Sequence, residues 1–497
     1  MGFRLILLMV CFAVCTGVSA QDFSKEAESF RKQRESMAKQ YESFKAKTQT
    51  EFESHRQECN KRYAEFLRDA WQSYEGKTPI PRPKDDRPIP PLPFDGGVKH
   101  IPVVTVPIDV KPVVVDPQPK PVEPIREVPS PDDDYFSVDF YGVTCRVRLP
   151  ESARIAINRC SNKVIAEAWE SLNHEGMNNT IRDCLETRMR YNLCDWAYLE
   201  FLDELCKKFC PTTDGATLLM AYLYSQSGYQ MRLGMDNGRL IMLYGSRHKI
   251  FDKVYYSLGG TDFYPYGTPS RTINICNMAF DGEKPMSLLI TQKQKLGADL
   301  SSERRIESER YPDMSAISQV PKNLIAFFNG YPTSSIGGNV LTRWAMYANT
   351  PMAEVTMELL YPSLVKSIEG CSEETAANKL LNWVQTGLEY EYDDKVWGHD
   401  RAFFAEESLY YPYSDCEDRS ILFSRLVRDL LGLDVALVYY PGHLATAVCF
   451  KNDVTGDAMM IGGRRFVVCD PTYIGAPVGA QMPNLQHEKA QAIVLER

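Results

Sequence analysis

Seven histidines, no CxxC pair and no His-rich partner set leave this 497-residue chain without a zinc-type ligand pattern, and neither metal nor cofactor is expected. Lysine and arginine form no block: 56 of them stand against 65 acidic residues, a net charge of −9. That balance excludes nucleic acid and anionic membrane as the main partner. Past the N-terminus no run is long and apolar enough to span a bilayer, so no transmembrane segment is expected. The 14 cysteines are irregularly spaced in a chain too large to need a disulfide framework. Cys206 and Cys210, four apart in a stretch that reads as helix, are poorly placed to bridge.

What is present divides the chain. Residues 1–20 carry one arginine, the apolar run "LILLMVCFAVC" and Val18-Ser19-Ala20, the pattern of a cleaved secretory signal. An exported protein is expected: periplasmic, at the cell surface or secreted. Residues 21–75 read as one long helix with a sparse aromatic stripe, including Met37, Tyr41, Phe44, Phe52, Cys59, Tyr63 and Phe66. The repeat is 11 residues, about 3.67 per turn, and its seam needs a partner, either another surface or self-association. Residues 76–133 hold 16 of the 31 prolines and read as an extended spacer. A mixed α/β domain is expected over 134–300, a helical connection over 301–369 and a catalytic-type domain over 370–497. The fold class is α+β.

The chemistry concentrates in "SDCEDRSILFSRLVRDLLG". Cys416 opens a helix that Gly432 closes, "DVALVYY" and "HLATAVCF" form strands about a Pro441-Gly442 turn, and "RRFVVCD" is a third strand after a long hairpin. Cys416 then stands at a helix N-terminus, His443 at a strand start and Asp470 at a strand end. Each has a role there. The helix dipole favours a thiolate, the imidazole carries the proton, and the carboxylate orients the imidazole. Tyr390, Tyr392, Trp397, Phe403, Phe404, Tyr410, Tyr411 and Tyr413 precede the cysteine and suit either a peptide groove or ordinary packing.

"YPYSDCEDRSILFSRLVRDLLGLDVALVYYPGHLATAVCF" with "RRFVVCDPTY" resembles the core of the transglutaminase-like superfamily, and "NKLLNWVQTGLEYEYD" resembles the helix upstream of its cysteine. The resemblance covers roughly residues 370–485 and implies a papain-like core, a helix packed on an antiparallel sheet, with Cys416, His443 and Asp470 as its triad. It implies acyl chemistry at amides through a cysteinyl thioester, on a peptide or protein substrate such as envelope or cell-wall material. Hydrolysis is favoured over amine transfer, because no tunnel for an amine is recognisable. A non-catalytic envelope scaffold that keeps the fold is the alternative.

Shifting the chain by 204 residues without a gap aligns Asp214 with Asp418, Gly228 with Gly432 and Leu240 with Leu444. Thr212 then stands at Cys416 and Arg239 at His443. A degenerate first copy and two unrelated helix–strand–strand units both fit that alignment.

Overall fold

A helix laid on an antiparallel sheet occurs twice in this chain. The computed structural model describes residues 20–84, 88–97, 102–112, 124–131 and 135–496; apart from Ala20, the expected leader lies outside them. The architecture is mixed α/β.

In the first unit the helix Thr213–Gln226 is followed by strands whose spatial order is Thr272–Cys276, Met231–Asp236, Arg239–Ser246, Thr261–Pro265, Tyr256–Leu258. In the second, Cys416–Leu426 is followed by Gln491–Val494, Asp434–Tyr440, His443–Cys449, Arg464–Cys469, Ala458–Ile461. Both sheets connect these five strands in the same chain order, and every neighbouring pair in them is antiparallel. The 204-residue shift lays helix on helix and the Asn237-Gly238 turn on Pro441-Gly442. Each unit also has a two-glycine hairpin, at Gly259-Gly260 and Gly462-Gly463, all four with positive φ. That conformation is inexpensive only for glycine.

The hairpin before Asp470, expected to be long from "KNDVTGDAMMIGG", turns tightly at Gly462-Gly463. Its second half is the strand Ala458–Ile461 in register with Arg464–Cys469. Residues 301–369, expected as a helical connection, also hold the two-stranded ladder Arg304–Glu307 with Ser315–Ser318. "FSVDFYGVTCRVRL" is a hairpin of two strands.

The described part of the proline-rich region is not a free spacer. Val104–Thr105 pairs with Ala458–Ile461 at one edge of the second sheet, and Ile108–Val110 pairs with Gln491–Val494 at the other. Residues 104–110 thus reach both edges and close the sheet on itself, which removes its unpaired edges. Prolines 102, 107 and 112 punctuate this strand without preventing it, since a proline needs only a position where no N–H is required.

The long helix spans Ala20–Asp69. Its last turns bury Asn60, Tyr63, Ala64 and Leu67 against the helix Asn162–Ser171 and the first unit, where Trp169 Nε1 donates to Asn60 Oδ1 at 3.1 Å. Phe66, which the sequence pattern put on the seam, is exposed, as are Phe30, Met37, Tyr41 and Phe44. No helix among the described residues is long and apolar enough to cross a membrane.

Candidate active site

The Cys416 helix starts where local chemistry dictates. Asp415 is the N-cap: its side chain accepts from Asp418 N at 3.4 Å, while Asp418 Oδ2 accepts from Asp415 N at 3.2 Å. This reciprocal cap satisfies two of the orphan donors of the first turn. Ser420 Oγ donates to Leu444 O at 2.8 Å and ties the helix to the His443 strand. Arg419, almost fully buried, donates to Ser414 Oγ at 3.2 Å, Gln385 O at 3.0 Å and Leu388 O at 2.6 Å. It fixes the approach to the helix, and burial lowers its pKa to about 10.

His443 and Asp470 meet as expected. His443 Nε2 lies 2.9 Å from Asp470 Oδ2, and both side chains are nearly inaccessible. Thr472 holds the carboxylate from the other side, donating from N at 2.9 Å and Oγ1 at 2.8 Å to Oδ1. Burial alone would raise Asp470, but the His443 charge and the hydrogen bonds from His443 and Thr472 outweigh it and hold the carboxyl below its usual range. Gln385, on the helix Glu373–Gly387, donates to Asp470 O at 2.9 Å and Tyr473 O at 2.8 Å, so one side chain pins the whole Asp470 turn.

The cysteine is held differently from expectation. It is 6% exposed, and burial first, then the charges of Glu417 and Asp415, push its thiol well above the ordinary value. The backbone N–H of Leu444 acts the other way. Its hydrogen bond goes to Glu417 Oε2 at 3.4 Å, whereas His443 Nδ1 is buried without a partner. Thiol and imidazole are therefore on adjoining elements but not hydrogen-bonded. The expectation of a low-pKa thiolate does not hold in this arrangement, because desolvation and two carboxylates outweigh the helix N-terminus.

Those carboxylates were missed in the sequence. Asp393, Asp400 and Glu417 bring oxygens within 4.8 Å of one another, as do the donor atoms of Asp415, Cys416 and Glu417. Burial and mutual repulsion raise Glu417 to about 8 and Asp393 to about 7. Arg343 offers the nearby cation, its Nη2 3.7 Å from Asp400 Oδ2. The oxygens are of the kind that takes a hard cation, but Arg343 already supplies positive charge there. A separate trio, His55, Cys59 and Asp281, lies where the long helix meets the first unit. The only sequence signal for the site cluster was the acidic run "DCED"; Asp393 and Asp400 join it through folding alone.

The aromatics divide. Tyr390 and Tyr392 lie near the thiol, and burial with the Cys416 charge raises the Tyr390 phenol. Trp397, Phe403 and Tyr411 instead pack around the Arg401 guanidinium, and Phe404 stacks on Phe328 at 4.0 Å. These four are packing residues. Cys206 and Cys210 are not bridged to each other, and Cys416 is likewise a thiol outside any disulfide.

Comparison with protein-family models, curated proteins and solved structures finds no match for this chain.

Proposed function

We propose that the second unit is a thiol enzyme of transglutaminase-like type that opens amide bonds of peptides or proteins through a thioester on Cys416. The observation that carries the reading is the sealed His443–Asp470 pair with His443 Nδ1 left unclaimed, on the strand whose next residue, Leu444, faces the sulfur. A buried imidazole nitrogen without a partner costs stability, and one whose other nitrogen is held by a carboxylate is arranged as a proton carrier needs.

In this reading Nδ1 takes the thiol proton as Sγ attacks the carbonyl carbon. The S–C bond forms, the C–N bond breaks, and the proton passes to the departing amine. Water then attacks the thioester, with His443 again as proton carrier. Asp470 orients the ring and stabilises its charged form without taking the proton. The first-turn N–H groups at Cys416 have no helical partner and suit an oxyanion. Hydrolysis exceeds amine transfer, since water needs no dedicated channel.

The raised thiol and the missing Cys416–His443 hydrogen bond favour a second reading, an envelope scaffold that keeps the fold without turnover. Labelling the folded protein with a thiol-directed electrophile separates the two. Cys416 modified ahead of the other thiols, and no longer so in His443→Ala, supports the enzyme; a silent Cys416 with other cysteines modified supports the scaffold.

A further inference from the structure

Away from the Cys416 site, three metal-ligating side chains meet where the long helix rests on the first unit. His55 and Cys59 stand four residues apart on the helix Ala20–Asp69, a spacing that puts both on one face. Asp281 comes to them from a turn of the first unit. His55 Nε2 lies 3.6 Å from Cys59 Sγ and 3.8 Å from Asp281 Oδ2, and the three donor atoms all lie within 4.8 Å of one another.

Both sides of this junction are held by contacts that do not involve the trio. On the helix, Asn60, Tyr63 and Leu67 are buried one to two turns further on. In the turn, the Phe280 ring packs against Tyr63 at 4.7 Å, and Phe280 N donates to Glu283 Oε2 at 3.2 Å. Glu283 in turn pairs with the buried Arg232 at 2.7 Å. Asp281 is thus presented between two anchored residues, opposite a helix face that is itself docked.

We propose that His55, Cys59 and Asp281 bind a zinc ion that clamps the long helix to the first unit. Zinc bonds of about 2.0–2.3 Å at tetrahedral angles separate neighbouring ligand atoms by roughly 3.4–3.6 Å. The His55–Cys59 spacing already matches that, and the Asp281 side chain, 71% exposed, has room to close the remainder. Imidazole nitrogen, thiolate sulfur and carboxylate oxygen are ordinary zinc ligands, whereas a hard cation takes oxygens alone. Binding forms the Zn–S bond and sends the thiol proton to solvent, with no change of oxidation state.

The surroundings suit the ion. A cavity of about 270 Å³ reaches all three ligands, is also lined by Phe52, Arg56 and Phe280, and leaves room for a water as fourth ligand. Arg56 is 7% exposed, and its Nε and Nη1 make no hydrogen bond, which favours a polar occupant there. One thiolate and one carboxylate neutralise the dication, so the loaded site adds no net charge beside that guanidinium. Towards the N-terminus Phe30, Met37, Tyr41 and Phe44 are exposed, so the ion fixes the place where the long helix leaves the first unit.

Cobalt(II) titration of the full-length protein, followed by absorption, is the test. One equivalent is expected to give the near-ultraviolet thiolate-to-cobalt band and the visible bands of a tetrahedral ion, and zinc to displace it. Cys59→Ser should remove the thiolate band, and His55→Ala and Asp281→Ala should each weaken zinc binding by roughly tenfold or more. The His55 and Asp281 side chains are 62% and 71% exposed, so these two variants leave the core intact. Wild type without a tetrahedral cobalt spectrum overturns the site. So does a thiolate band that survives Cys59→Ser; its loss in Cys416→Ala would place the ion at Asp415, Cys416 and Glu417 instead. Zinc should also slow amide exchange over residues 52–59 in wild type and not in Cys59→Ser, and unchanged exchange in the loaded wild type overturns the clamp.

Discussion

At the point where helix N-terminus meets the second strand, the two units use one scaffold for opposite ends. In the first, Thr212 caps the helix and its Oγ1 accepts from Gly215 N at 3.2 Å and Ile157 N at 2.9 Å. Asp214 Oδ1 takes the strand's Leu240 N–H at 3.0 Å and Arg239 Nε at 3.3 Å. Every group there has a partner, and the Arg239 side chain is 62% exposed. In the second, the equivalent N–H, that of Leu444, faces a sulfur, and the equivalent of Arg239 is a buried histidine with one nitrogen unpartnered. The fold supplies a strand N–H beside a helix start in both cases. What differs is whether the site is satisfied or left costly, and proteins keep such costs where chemistry needs them.

The largest expected effect breaks this contrast at its centre. Cys416→Ala and His443→Ala abolish amide hydrolysis, measured on a peptide pool, whereas Thr212→Ala and Arg239→Ala leave it within about twofold because neither reaches the reacting atoms. Asp470→Ala retains a residual rate, lower by roughly 10²–10⁴, since it orients the base and transfers no proton. Full turnover in Cys416→Ala ends the mechanism.

Next comes stability at the helix approach. Arg419→Ala leaves the carbonyls of Gln385 and Leu388 buried and unpaired, and a loss of roughly 3 kcal/mol or more is expected in urea denaturation. The first unit's Arg239→Ala, by contrast, breaks an exposed ion pair and costs about 1 kcal/mol or less. Equal losses would show that the two junctions are not energetically different.

A third contrast is pH. Glu417 and Asp393 are raised to about 8 and about 7 in the folded chain, while unfolded carboxyls titrate near ~4. Between those values the folded state holds protons that the unfolded state has lost. The stabilisation is complete at acid pH and fades as pH rises through about 8. Glu417→Gln removes one such group, so its urea midpoint should fall less than that of wild type between pH 5 and 9. A variant midpoint that falls as steeply as wild type would contradict the raised Glu417. The smallest effect expected is on the thiol: relieved of one neighbouring carboxylate, Cys416 in Glu417→Gln should reach half-maximal labelling at a lower pH than in wild type.

The local elements around the site were legible. Gly432 past the last helical turn, Pro441-Gly442 between two apolar runs and Asp470 before a proline all act within a few residues, where sequence spacing and geometry are nearly the same thing. Equally, the 204-residue offset was visible in the chain, but identities such as Asp214 with Asp418 and Gly228 with Gly432 could not separate repetition from coincidence. Strand order, a property of long-range pairing, is shared by the two units and was not visible in the chain. The spacer reading of residues 76–133 went astray for a related reason: proline content reports what a segment cannot do by itself, and residues 104–110 become a strand only because two edges await them.

By itself, then, the sequence determined the helix that begins at Cys416, the hairpin that carries His443, the strand that leads to Asp470 and, among the described residues, the absence of a helix able to span a membrane. Each follows from short-range propensities and capping. Tertiary structure alone decided that the sheet closes through residues 104–110, that Asp393 and Asp400 crowd Glu417, that residues 88–94 bond to the chain at Gly442 and at Tyr473–Ile474, and that the thiol is raised rather than lowered. These depend on desolvation and on charges distant in sequence. Their energies are set by which groups folding brings within a few ångströms of one another and away from water.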